Sequence, residues 1–542
     1  MKISNFLKNL NFPALITGFI GISLVLGIFF RFYHLDTKFY SYDETHSSLR
    51  VSGYYSREMF SELENQDTIF SIDEFQKYQQ PQPNKGIDKI IIGLSEEDPN
   101  HTPVYFILAR LWSQFFQSFL NPVQAIRSFS AFCDLLSLVA MYLLCRELFN
   151  SSRVAAIGVA LMAVSPFHIL YGQYARPYSI FTTMILFSSF SLLLALRKKS
   201  FLSWLSYTII SIFSFYTNLF TALVIFSHFI FVFGVERFRF TKVFWSFMLS
   251  SLVVLSSGFV WLSGTLSDNS DKGRIGSLQF LKLSHVVKTH LHRIARVFVD
   301  THNLGGIVRV ESNPFLTTLL QGTLMAFLLI LIIYSLIYLI QKSSTKEWLF
   351  VLSLVGVTGL VLGGVVKLIP SQMETRYYIP VYLGIQMSLA YLLAHKINQK
   401  FNLFAGIFIF LISLGVLSGI ISSQTEVWWV NLPSSIIQAP QVVQAVNNSE
   451  NPVIIWNDHK DFRGNWNTHI LLGLSNKFKP DVSFFYLNKN INLDELLSKN
   501  PSLFLYRPHQ EIQKKLSERY HLKPAYQEEE KPWLWQLTLS KK

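Results

Sequence analysis

The sequence predicts an α-helical polytopic membrane protein that ends in a soluble α/β domain, and three observations support this prediction. Of the 542 residues, 50% are hydrophobic and 15% are charged, whereas soluble proteins carry about a quarter charged residues. Apolar runs of roughly 20 residues, the length that crosses a lipid core of about 30 Å, recur between residues 12 and 422. After residue 422 the composition becomes polar, with short apolar runs between helix-like segments.

About eleven apolar runs are candidates for spanning helices. The first follows a short start that carries Lys2 and Lys8, as a signal peptide would. No small-residue cleavage site follows it, so we interpret it as an uncleaved spanning helix. The runs are residues 12–30, 125–144, 154–171, 178–196, 202–217, 219–235, 243–262, 315–340, 348–368, 378–394 and 403–422.

The orientation of these helices follows from the basic residues, which concentrate on the cytoplasmic side of membrane proteins. One further apolar stretch, Val104–Leu120, is interrupted by Arg110. If this stretch does not span, all the basic clusters between the runs fall on the cytoplasmic side; if it spans, every cluster after the first falls outside. We therefore predict that it is an amphipathic helix at the outer interface. The clusters are Lys2/Lys8, Arg146/Arg153, Arg197–Lys199, Arg237/Arg239/Lys242, Lys342/Lys346 and Lys396/Lys400.

This topology predicts a transmembrane catalytic domain of residues 1–422 and an extracytoplasmic α/β domain of residues 423–542. Two long loops, residues 31–103 and 263–314, lie on the same outer side. In the C-terminal domain the apolar runs predict strands and the segments between them predict helices. The strands are expected at 452–456, 483–487 and 503–506, and the helices near 493–498 and 510–520.

Charge and cysteine content exclude two classes of protein. The formal net charge is +13, but the basic residues form short clusters between apolar runs, so no nucleic-acid partner is expected. The two cysteines, Cys133 and Cys145, lie in one apolar run, so no disulfide framework is expected.

Two adjacent carboxylates, Asp43 and Glu44, follow the first span by a few residues. Partial desolvation near a membrane surface can tune a carboxylate as a base, and activation of a hydroxyl for attack on a sugar C1 needs one such base. An ordinary solvated loop is the alternative, because acidic pairs also occur at positions 73–74 and 96–97.

Two arginines lie at predicted outer turns, against the positive-inside bias. Arg176 lies in the short segment Tyr171–Tyr178, and Arg376 lies at the start of another span. Such a residue either binds an anionic partner, for example a lipid-linked phosphate, or reaches towards lipid headgroups. Lys367, near the preceding outer end, is a candidate for the same partner.

The segment Asn100–Pro103 opens the predicted interfacial helix. Pro103 is a helix start signal, and Tyr105 and Trp112 suit the headgroup level. The pattern fits a helix that lines a substrate, and it fits equally a surface helix without a ligand role.

The second outer loop is strongly basic, and two interpretations stay open for it. It forms either a helix that lies on anionic headgroups or a pocket for a phosphate diester. The histidine spacing matches no zinc motif, so no metal site is expected here. No cofactor is expected either. The basic residues are Lys282, His285, Lys288, His290, His292, Arg293 and Arg296.

Asp134 lies well inside a predicted span. An intramembrane acid suggests a functional site by default. The alternative is a structural pairing with a neighbouring Ser, Tyr or Arg.

These segments together resemble the protein O-mannosyltransferase and aminoarabinose-transferase group, glycosyltransferase family 39 and its relatives, within the GT-C superfamily. Asp43-Glu44 resembles the group's Asp-Glu motif after the first span. The segment His101–Tyr105 is similar to its His-Pro-Pro-Leu-Tyr element, with Thr102 in place of the first Pro.

Two later elements also match. Ser165–Tyr178 resembles the stretch Ser-Pro…Gln-Glu-Ala-Arg-x-Tyr, with Tyr174 where Glu is common. Arg376–Pro380 is similar to a late Arg-Tyr-x-x-Pro element. The four elements occur in the family's order and all lie on the predicted outer side. The resemblance covers roughly residues 10 to 420.

The resemblance implies a GT-C fold and an inverting, metal-independent transfer of a sugar, a hexose such as mannose. The donor would be a polyprenyl-phosphate sugar, and the acceptor a hydroxyl of a protein, lipid or glycan. Asp43 would be the general base, and Glu44 would position Asp43 or the acceptor. Arg176 and Arg376 would hold the leaving phosphate. The implied cavity-lining residues are His101, Gln173, Tyr178 and Tyr377.

A transporter or flippase of a lipid-linked sugar is the competing function. It would be expected to have discontinuous helices, a repeated half and charged groups near the midplane. No repeat is visible, and transport needs no long acidic outer loop, so we favour the transferase. The expected location is a bacterial inner membrane, among membrane lipids, with the active site and the C-terminal domain outside.

Overall fold

The structure is a computed structural model, and the part of the chain that it describes comprises several ranges. They are residues 12–267, 290–300, 314–368, 374–397, 402–427, 438–458, 466–487, 493–500, 502–526 and 532–539.

Helices dominate the described part of the chain, and strands occur in two places. The elements in chain order are α1 (Ala14–Phe32), α2 (Tyr42–Ser52), α3 (Ser56–Glu64), β1 (Phe70–Ser71), α4 (Ile72–Gln76), α5 (Ile87–Glu97), α6 (Val104–Phe116), α7 (Pro122–Phe149), α8 (Ser152–Ala163), α9 (Pro166–Gln173), α10 (Tyr178–Lys198), α11 (Phe201–Phe215), α12 (Thr221–Val235), α13 (Lys242–Ser267), α14 (Pro314–Lys342), α15 (Thr345–Leu368), α16 (Ile379–Lys396), α17 (Leu403–Gln424), α18 (Ala439–Asn447), β2 (Val453–Trp456), α19 (Trp466–Ser475), β3 (Ser483–Tyr486), α20 (Leu493–Lys499), β4 (Leu503–Tyr506), α21 (Gln510–Ser517), β5 (Tyr520–Pro524) and β6 (Leu534–Leu539).

The chain divides into two compact units. The first unit comprises Met1–His34, Pro99–Tyr105 and Arg127–Thr425. The second unit comprises Leu35–Asp98, Phe106–Ile126 and Glu426–Lys542.

The first unit contains the membrane helices. Eight helices among the described residues are long and apolar enough to cross a membrane, and α8 with α9 makes a ninth span if this bent pair counts as one. These spans and the shorter apolar helices α11 and α12 coincide with the eleven predicted runs. The chain is therefore an integral multi-pass membrane protein, and the predicted helical fold class is confirmed. Helix α16 is buried along almost its whole length, whereas α14 is mostly exposed, as expected for a central and a lipid-facing helix.

Asp134, the acid predicted inside a span, forms a buried ion pair. Arg31 Nε, in the last turn of α1, lies 2.6 Å from Asp134 Oδ2 of α7, and the two side chains are 0% and 2% exposed. The Ser137 hydroxyl also donates to Asp134 Oδ1 at 3.2 Å. Of the two interpretations of Asp134, the structural pairing with Arg and Ser is confirmed.

The same arginine donates hydrogen bonds to backbone carbonyl groups at the break between α8 and α9. The axes of these two helices differ by 61°. Pro166 is the first residue of α9 and has no N–H to continue the ladder of α8. Arg31 Nη1 donates to Ala163 O at 2.5 Å and to Gly27 O at 2.7 Å. Carbonyl groups that the break leaves without a helical partner are therefore satisfied by a side chain from α1.

A glycine lets α1 approach this break. A Cβ on Gly27 would lie 2.4 Å from the carbonyl oxygen of Ala163. Small residues at such crossings allow helix backbones in a membrane to come close. Gly27 therefore permits the approach that brings Arg31 to the end of α8.

The second unit is built around a six-stranded sheet of order β1-β3-β2-β4-β6-β5. Strands β3, β2 and β4 are parallel, and the other pairings are antiparallel. The three predicted strands and the two predicted helices are confirmed as β2, β3, β4, α20 and α21. The sequence analysis did not predict β1, β5, β6, α18 or α19.

The two faces of this sheet bury different parts of the chain. On one face, Trp456 and its neighbours pack against Phe39, Leu49, Phe70 and Phe75, which precede α6 in the chain. On the other face, the strands pack against α20. The observed units therefore differ from the predicted domains 1–422 and 423–542, because apolar residues that precede α6 complete the core of the sheet.

Helix α6 forms within the stretch predicted as an amphipathic interfacial helix. It has 13 residues, which is shorter than a span. Arg110 is buried and donates to Val51 O at 2.7 Å, whereas Leu111 and Phe115 are exposed. Its location at the membrane interface stays a prediction.

We expect Gly27→Ala to destabilise the protein by about 1–3 kcal/mol, because the added methyl group would overlap the backbone of Ala163. The matched control is Gly18→Ala in the same helix, where no atom lies within 4 Å of the added Cβ. The measurement is the thermal unfolding midpoint of both variants in detergent. Equal midpoints for the two variants would contradict a tight crossing at Gly27.

Candidate active site

Asp43 and Glu44 lie in the first turn of α2, in the second unit. Ser41 is the N-cap residue: its hydroxyl accepts from the Glu44 N–H at 3.3 Å, and its N–H donates to Glu44 Oε2 at 3.1 Å. This reciprocal capping box uses the Glu44 carboxylate, which is fully buried. Asp43 is half-buried at the helix N-terminus, where the helix dipole stabilises negative charge.

A second capping box in the same unit provides a comparison. Ser71 caps α4 in the same way, with Asp73 and Glu74 at the positions of Asp43 and Glu44. Both Asp73 and Glu74 are exposed. The two acidic pairs therefore share local backbone geometry and differ in their surroundings.

Helix α2 is packed against α19 near its start. The rings of His46 and His469 stack at 4.0 Å, and Tyr42 lies edge-on to His46 at 4.6 Å. A Cβ on Gly473 would lie 2.6 Å from the Tyr40 carbonyl oxygen. Within the second unit, α19 therefore fixes the turn that carries Asp43.

The far end of α2 is held by a partly buried ion pair. Arg50 Nη2 lies 2.7 Å from Glu97 Oε2, and the Glu97 carboxylate also accepts from the N–H groups of Ser56 and Arg57, each at 2.8 Å. Burial raises the pKa of Glu97, but the charge of Arg50 and the two N–H groups outweigh it, so the pKa lies below its usual value. Both ends of α2 are thus anchored by charged hydrogen bonds.

In the first unit, Arg176 and His101 are in direct contact. Arg176 Nη2 donates to His101 Nε2 at 2.5 Å. Because a guanidinium can only donate, this imidazole nitrogen carries no proton. Both residues come from motifs that the sequence analysis singled out.

Arg376 lies in a short 3₁₀ turn, Thr375–Tyr378, immediately before α16. Its guanidinium lies over the rings of Tyr178 at 5.2 Å and of Tyr377 at 5.7 Å. The start of α10 and the start of α16 therefore meet at Arg376.

Two arginines that precede α14 in the chain also contact this turn. Arg293 lies over the ring of Tyr378 at 5.5 Å, and Arg296 Nη1 donates to the Thr375 hydroxyl at 3.5 Å. Burial lowers the pKa of Arg296. The two interpretations of the second outer loop, a helix on anionic headgroups and a pocket for a phosphate diester, both stay predictions. Lys282, His285 and Lys288 of this loop lie outside the described residues.

Gln173 has a structural partner of its own. Its Nε2 donates to the carbonyl oxygens of Phe30 at 2.6 Å and of Tyr33 at 2.9 Å. These carbonyls lie at the C-terminal end of α1, where helical partners are lacking. Gln173 therefore ties the turn that holds Arg176 to the first spanning helix.

The structure adds His469, Gly473, Arg293 and Arg296 to the predicted site residues as close neighbours of the motif segments. The two arginines had a signal, the basic composition of their loop. His469 and Gly473 had none, because their contacts join segments more than 400 residues apart in sequence.

We predict that His469 makes the stability of the protein fall in acid. Burial, helped by the charge of Arg50, lowers the pKa of His469 from 6.5 to about 3. Between these two pH values the unfolded chain takes up a proton that the folded protein does not, so the free energy of unfolding decreases as the pH falls. The thermal midpoint of the full-length protein measures this from pH 7 to pH 4.

His469→Phe, which keeps an aromatic ring for the stack, should show a shallower decrease than wild type over this range. The control is His521→Phe, at an exposed position of β5. A slope in His469→Phe as steep as in wild type would contradict the prediction.

Comparison with known proteins supports the motif assignment. Residues 100–261 match the model of the family described as dolichyl-phosphate-mannose-protein mannosyltransferase. The matched segment contains His101, Gln173, Arg176 and Tyr178. The comparison with curated protein sequences finds no match.

Several solved structures are similar to the chain at low sequence identity. One is ArnT from Cupriavidus metallidurans bound to undecaprenyl phosphate, with 12% identity, 96% of this chain and 97% of that chain covered, and a TM-score of 0.47. Another is the Archaeoglobus fulgidus oligosaccharyltransferase in the apo form, with 12% identity, 86% of this chain covered and a TM-score of 0.45. The match spans 64% of the archaeal chain.

The family match of residues 100–261 confirms, for that segment, the resemblance to GT-C glycosyltransferases that the motifs indicate.

Proposed function

We propose that this protein is a membrane glycosyltransferase that moves a sugar from a polyprenyl-phosphate donor to a hydroxyl acceptor on the non-cytoplasmic side. The observation that carries the proposal is the arginine-rich, tyrosine-lined turn of the first unit. Arg293, Arg296 and Arg376 all contact the segment Thr375–Tyr378 or lie in it. The family match to mannosyltransferases that use a lipid phosphate agrees with this chemistry.

Arginine groups at this turn suit a leaving phosphate. When the bond between the sugar C1 and the phosphate oxygen breaks, negative charge grows on the polyprenyl phosphate. Fixed guanidinium groups stabilise this charge more in the transition state than in the donor, and their effect is larger where water is excluded. In this proposal Arg376 and Arg176 hold the phosphate, and His101, Gln173, Tyr178 and Tyr377 line the cavity.

Asp43 is the proposed general base. The acceptor hydroxyl attacks C1 as its proton passes to the Asp43 carboxylate, and the phosphate leaves from the opposite face of C1, so the configuration inverts. Glu44 acts as a positioning residue, because its capping box fixes the turn that presents Asp43. The reaction uses neither a metal nor another cofactor, since guanidinium groups meet the charge of the leaving phosphate.

The proposed donor sugar is a hexose such as mannose, and the acceptor is a hydroxyl of a protein, lipid or glycan. The proposed location is a bacterial inner membrane, with the site outside. A transporter of the same lipid would use a broken helix to bind its cargo, and α8 and α9 form such a break. Here Arg31 already occupies the carbonyl groups at that break, which favours the transferase.

We expect Asp43→Asn to lower the rate of sugar transfer by about 10²–10⁴-fold, because the amide cannot accept the proton. The measurement is transfer of labelled sugar from polyprenyl-phosphate donors in purified membranes, at matched protein levels. The control is Asp73→Asn, which makes the same change in the equivalent capping box of α4. Undiminished transfer by Asp43→Asn would contradict its role as the base.

We expect Arg376→Ala to lower kcat/KM for the donor by roughly 10²–10³-fold, because a group that stabilises the leaving phosphate is lost. Arg376→Lys should recover only part of this loss, since an ammonium group does not reproduce the planar fork of a guanidinium. The control is Arg239→Ala, at an exposed position between α12 and α13. Equal kinetics for the Arg376→Ala and Arg239→Ala variants would contradict the assignment.

A further inference from the structure

The C-terminal ends of the parallel strands form a distinct polar edge in the second unit. The central strand β2 pairs with β3 on one side and with β4 on the other. The chain leaves β2 through α19 towards β3, and it leaves β4 through α21 towards β5, which lies on the opposite side of this strand pair. The connections therefore depart in opposite directions from β2 and β4, which makes their carboxyl ends a topological switch point. Ligands of open α/β sheets bind at such points.

The residues that follow β2 and β4 are polar and lie next to each other. Trp456 and Tyr506 are paired in register, so Asn457 and Arg507 extend the two strands side by side. Asn467 Nδ2 bridges them, donating to the Asn457 carbonyl at 3.1 Å and to the Arg507 carbonyl at 3.2 Å. The edge is therefore ordered by hydrogen bonds across the switch point.

Two buried polar atoms at this edge, Asn457 Oδ1 and Arg507 Nη1, have no hydrogen-bond partner of good geometry among the described residues. The Tyr506 hydroxyl interacts with the Arg507 guanidinium. Asn457 is 8% exposed and Tyr506 is fully buried. A buried polar group without a partner is unfavourable, so these two groups point to a ligand that completes them.

Arg507 is held in an unusual conformation. Its φ is 42°, in the left-handed region that non-glycine residues rarely adopt. Its guanidinium lies over the Trp533 ring at 4.6 Å, and its N–H donates to the Trp533 carbonyl at 2.6 Å. Strained residues that their surroundings hold in place concentrate at functional sites.

The charges at this edge disfavour an anionic ligand. Asp458 caps α19: its carboxylate accepts from the Thr468 N–H at 3.2 Å and from the Thr468 hydroxyl. The helix N-terminus, where a phosphate would bind, therefore already has a carboxylate. A fully ionised phosphate could accept from Arg507, but it carries no hydrogen to donate to Asn457 Oδ1.

Hydroxyl groups both donate and accept, so neighbouring hydroxyls of one sugar suit Asn457 Oδ1 and Arg507 Nη1 together. We propose that the carboxyl edge of β2 and β4 is a binding site for a neutral sugar, and that it receives the glycan part of the acceptor. The second clause rests on the proposed transferase function.

The position of α19 agrees with an acceptor site. Asn467 and Thr468 lie at the sheet edge, and the next residue, His469, stacks on His46 one turn after Asp43 in α2. One short helix therefore contacts both the proposed sugar site and the helix that carries the proposed base. The proposal gives the second unit a role in choosing a glycan or glycolipid acceptor.

The test measures binding without donor. Full-length protein in detergent is mixed with methyl glycosides of mannose, glucose, galactose and N-acetylglucosamine, and binding is followed by saturation-transfer NMR. Mannose 6-phosphate and a Ser/Thr-containing peptide are the comparison probes. We expect at least one neutral glycoside to bind, and we expect both comparison probes to bind more weakly than this glycoside.

Two variants test the residues. Asn457→Leu should raise the dissociation constant for the sugar at least tenfold, or by about 1.4 kcal/mol. Its thermal stability should stay equal or rise, because an unsatisfied buried group is removed. Arg507→Asn should also lose binding, and Asn tolerates a positive φ. The control is Arg519→Asn, an exposed arginine paired with Asp494 in the same unit.

Absence of binding by every neutral glycoside overturns the proposal, as does tighter binding of the phosphorylated sugar or the peptide. Undiminished binding by Asn457→Leu and Arg507→Asn overturns it too. If wild type binds sugar but transfers none, the transferase proposal fails and the binding site stands. If wild type transfers sugar but binds none of the glycosides, the binding-site proposal fails and the transferase proposal stands.

Discussion

The buried ion pair between Arg31 and Asp134 is the constraint on which the first unit depends. Two charges in a membrane-spanning region are strongly unfavourable unless they are paired and hydrogen-bonded. Here the guanidinium contacts Asp134, Gly27 O, Ala163 O and Met162 O, so its donors meet acceptors in the interior. Removal of either partner would leave a buried charge alone, which costs about 3–5 kcal/mol in soluble proteins. The pair thus joins α1, α7 and the end of α8 at one point.

This point supports the turn that presents the proposed phosphate ligands. Helix α9 can bend by 61° from α8 because Arg31 satisfies the carbonyl groups at the break. The turn after α9 carries Arg176, and Gln173 binds this turn back to the end of α1. A Cβ on Gly172 would lie 2.9 Å from Asp134 Oδ2, so the same turn also packs closely on the ion pair. The arrangement links an intramembrane structural pair to groups with a proposed role in chemistry.

Local sequence signals predicted most of the elements, and long-range contacts explain what they missed. Runs of apolar residues located the spanning helices, because the length of a lipid-crossing helix is fixed by the lipid core. Short apolar runs located β2, β3 and β4. By contrast, the partner of Asp134 is 103 residues away, and β1 comes from a loop that pairs with β3 more than 400 residues later. The two residues Phe70-Ser71 carry no local sequence pattern that would mark them as a strand. Asp43 and Glu44 were found through a motif, but the capping role of Glu44 and the stacking of His469 on His46 needed the fold.

The central claim, transfer of a sugar rather than movement of its carrier, is tested most directly by phosphorus NMR. The wild-type protein is reconstituted in liposomes with a polyprenyl-phosphate hexose and a membrane extract that supplies the acceptor. The account predicts that the donor phosphodiester signal decreases and a polyprenyl phosphomonoester signal grows, and that both changes require the acceptor extract. A phosphodiester that stays intact while the lipid moves between leaflets would contradict the account and support a flippase.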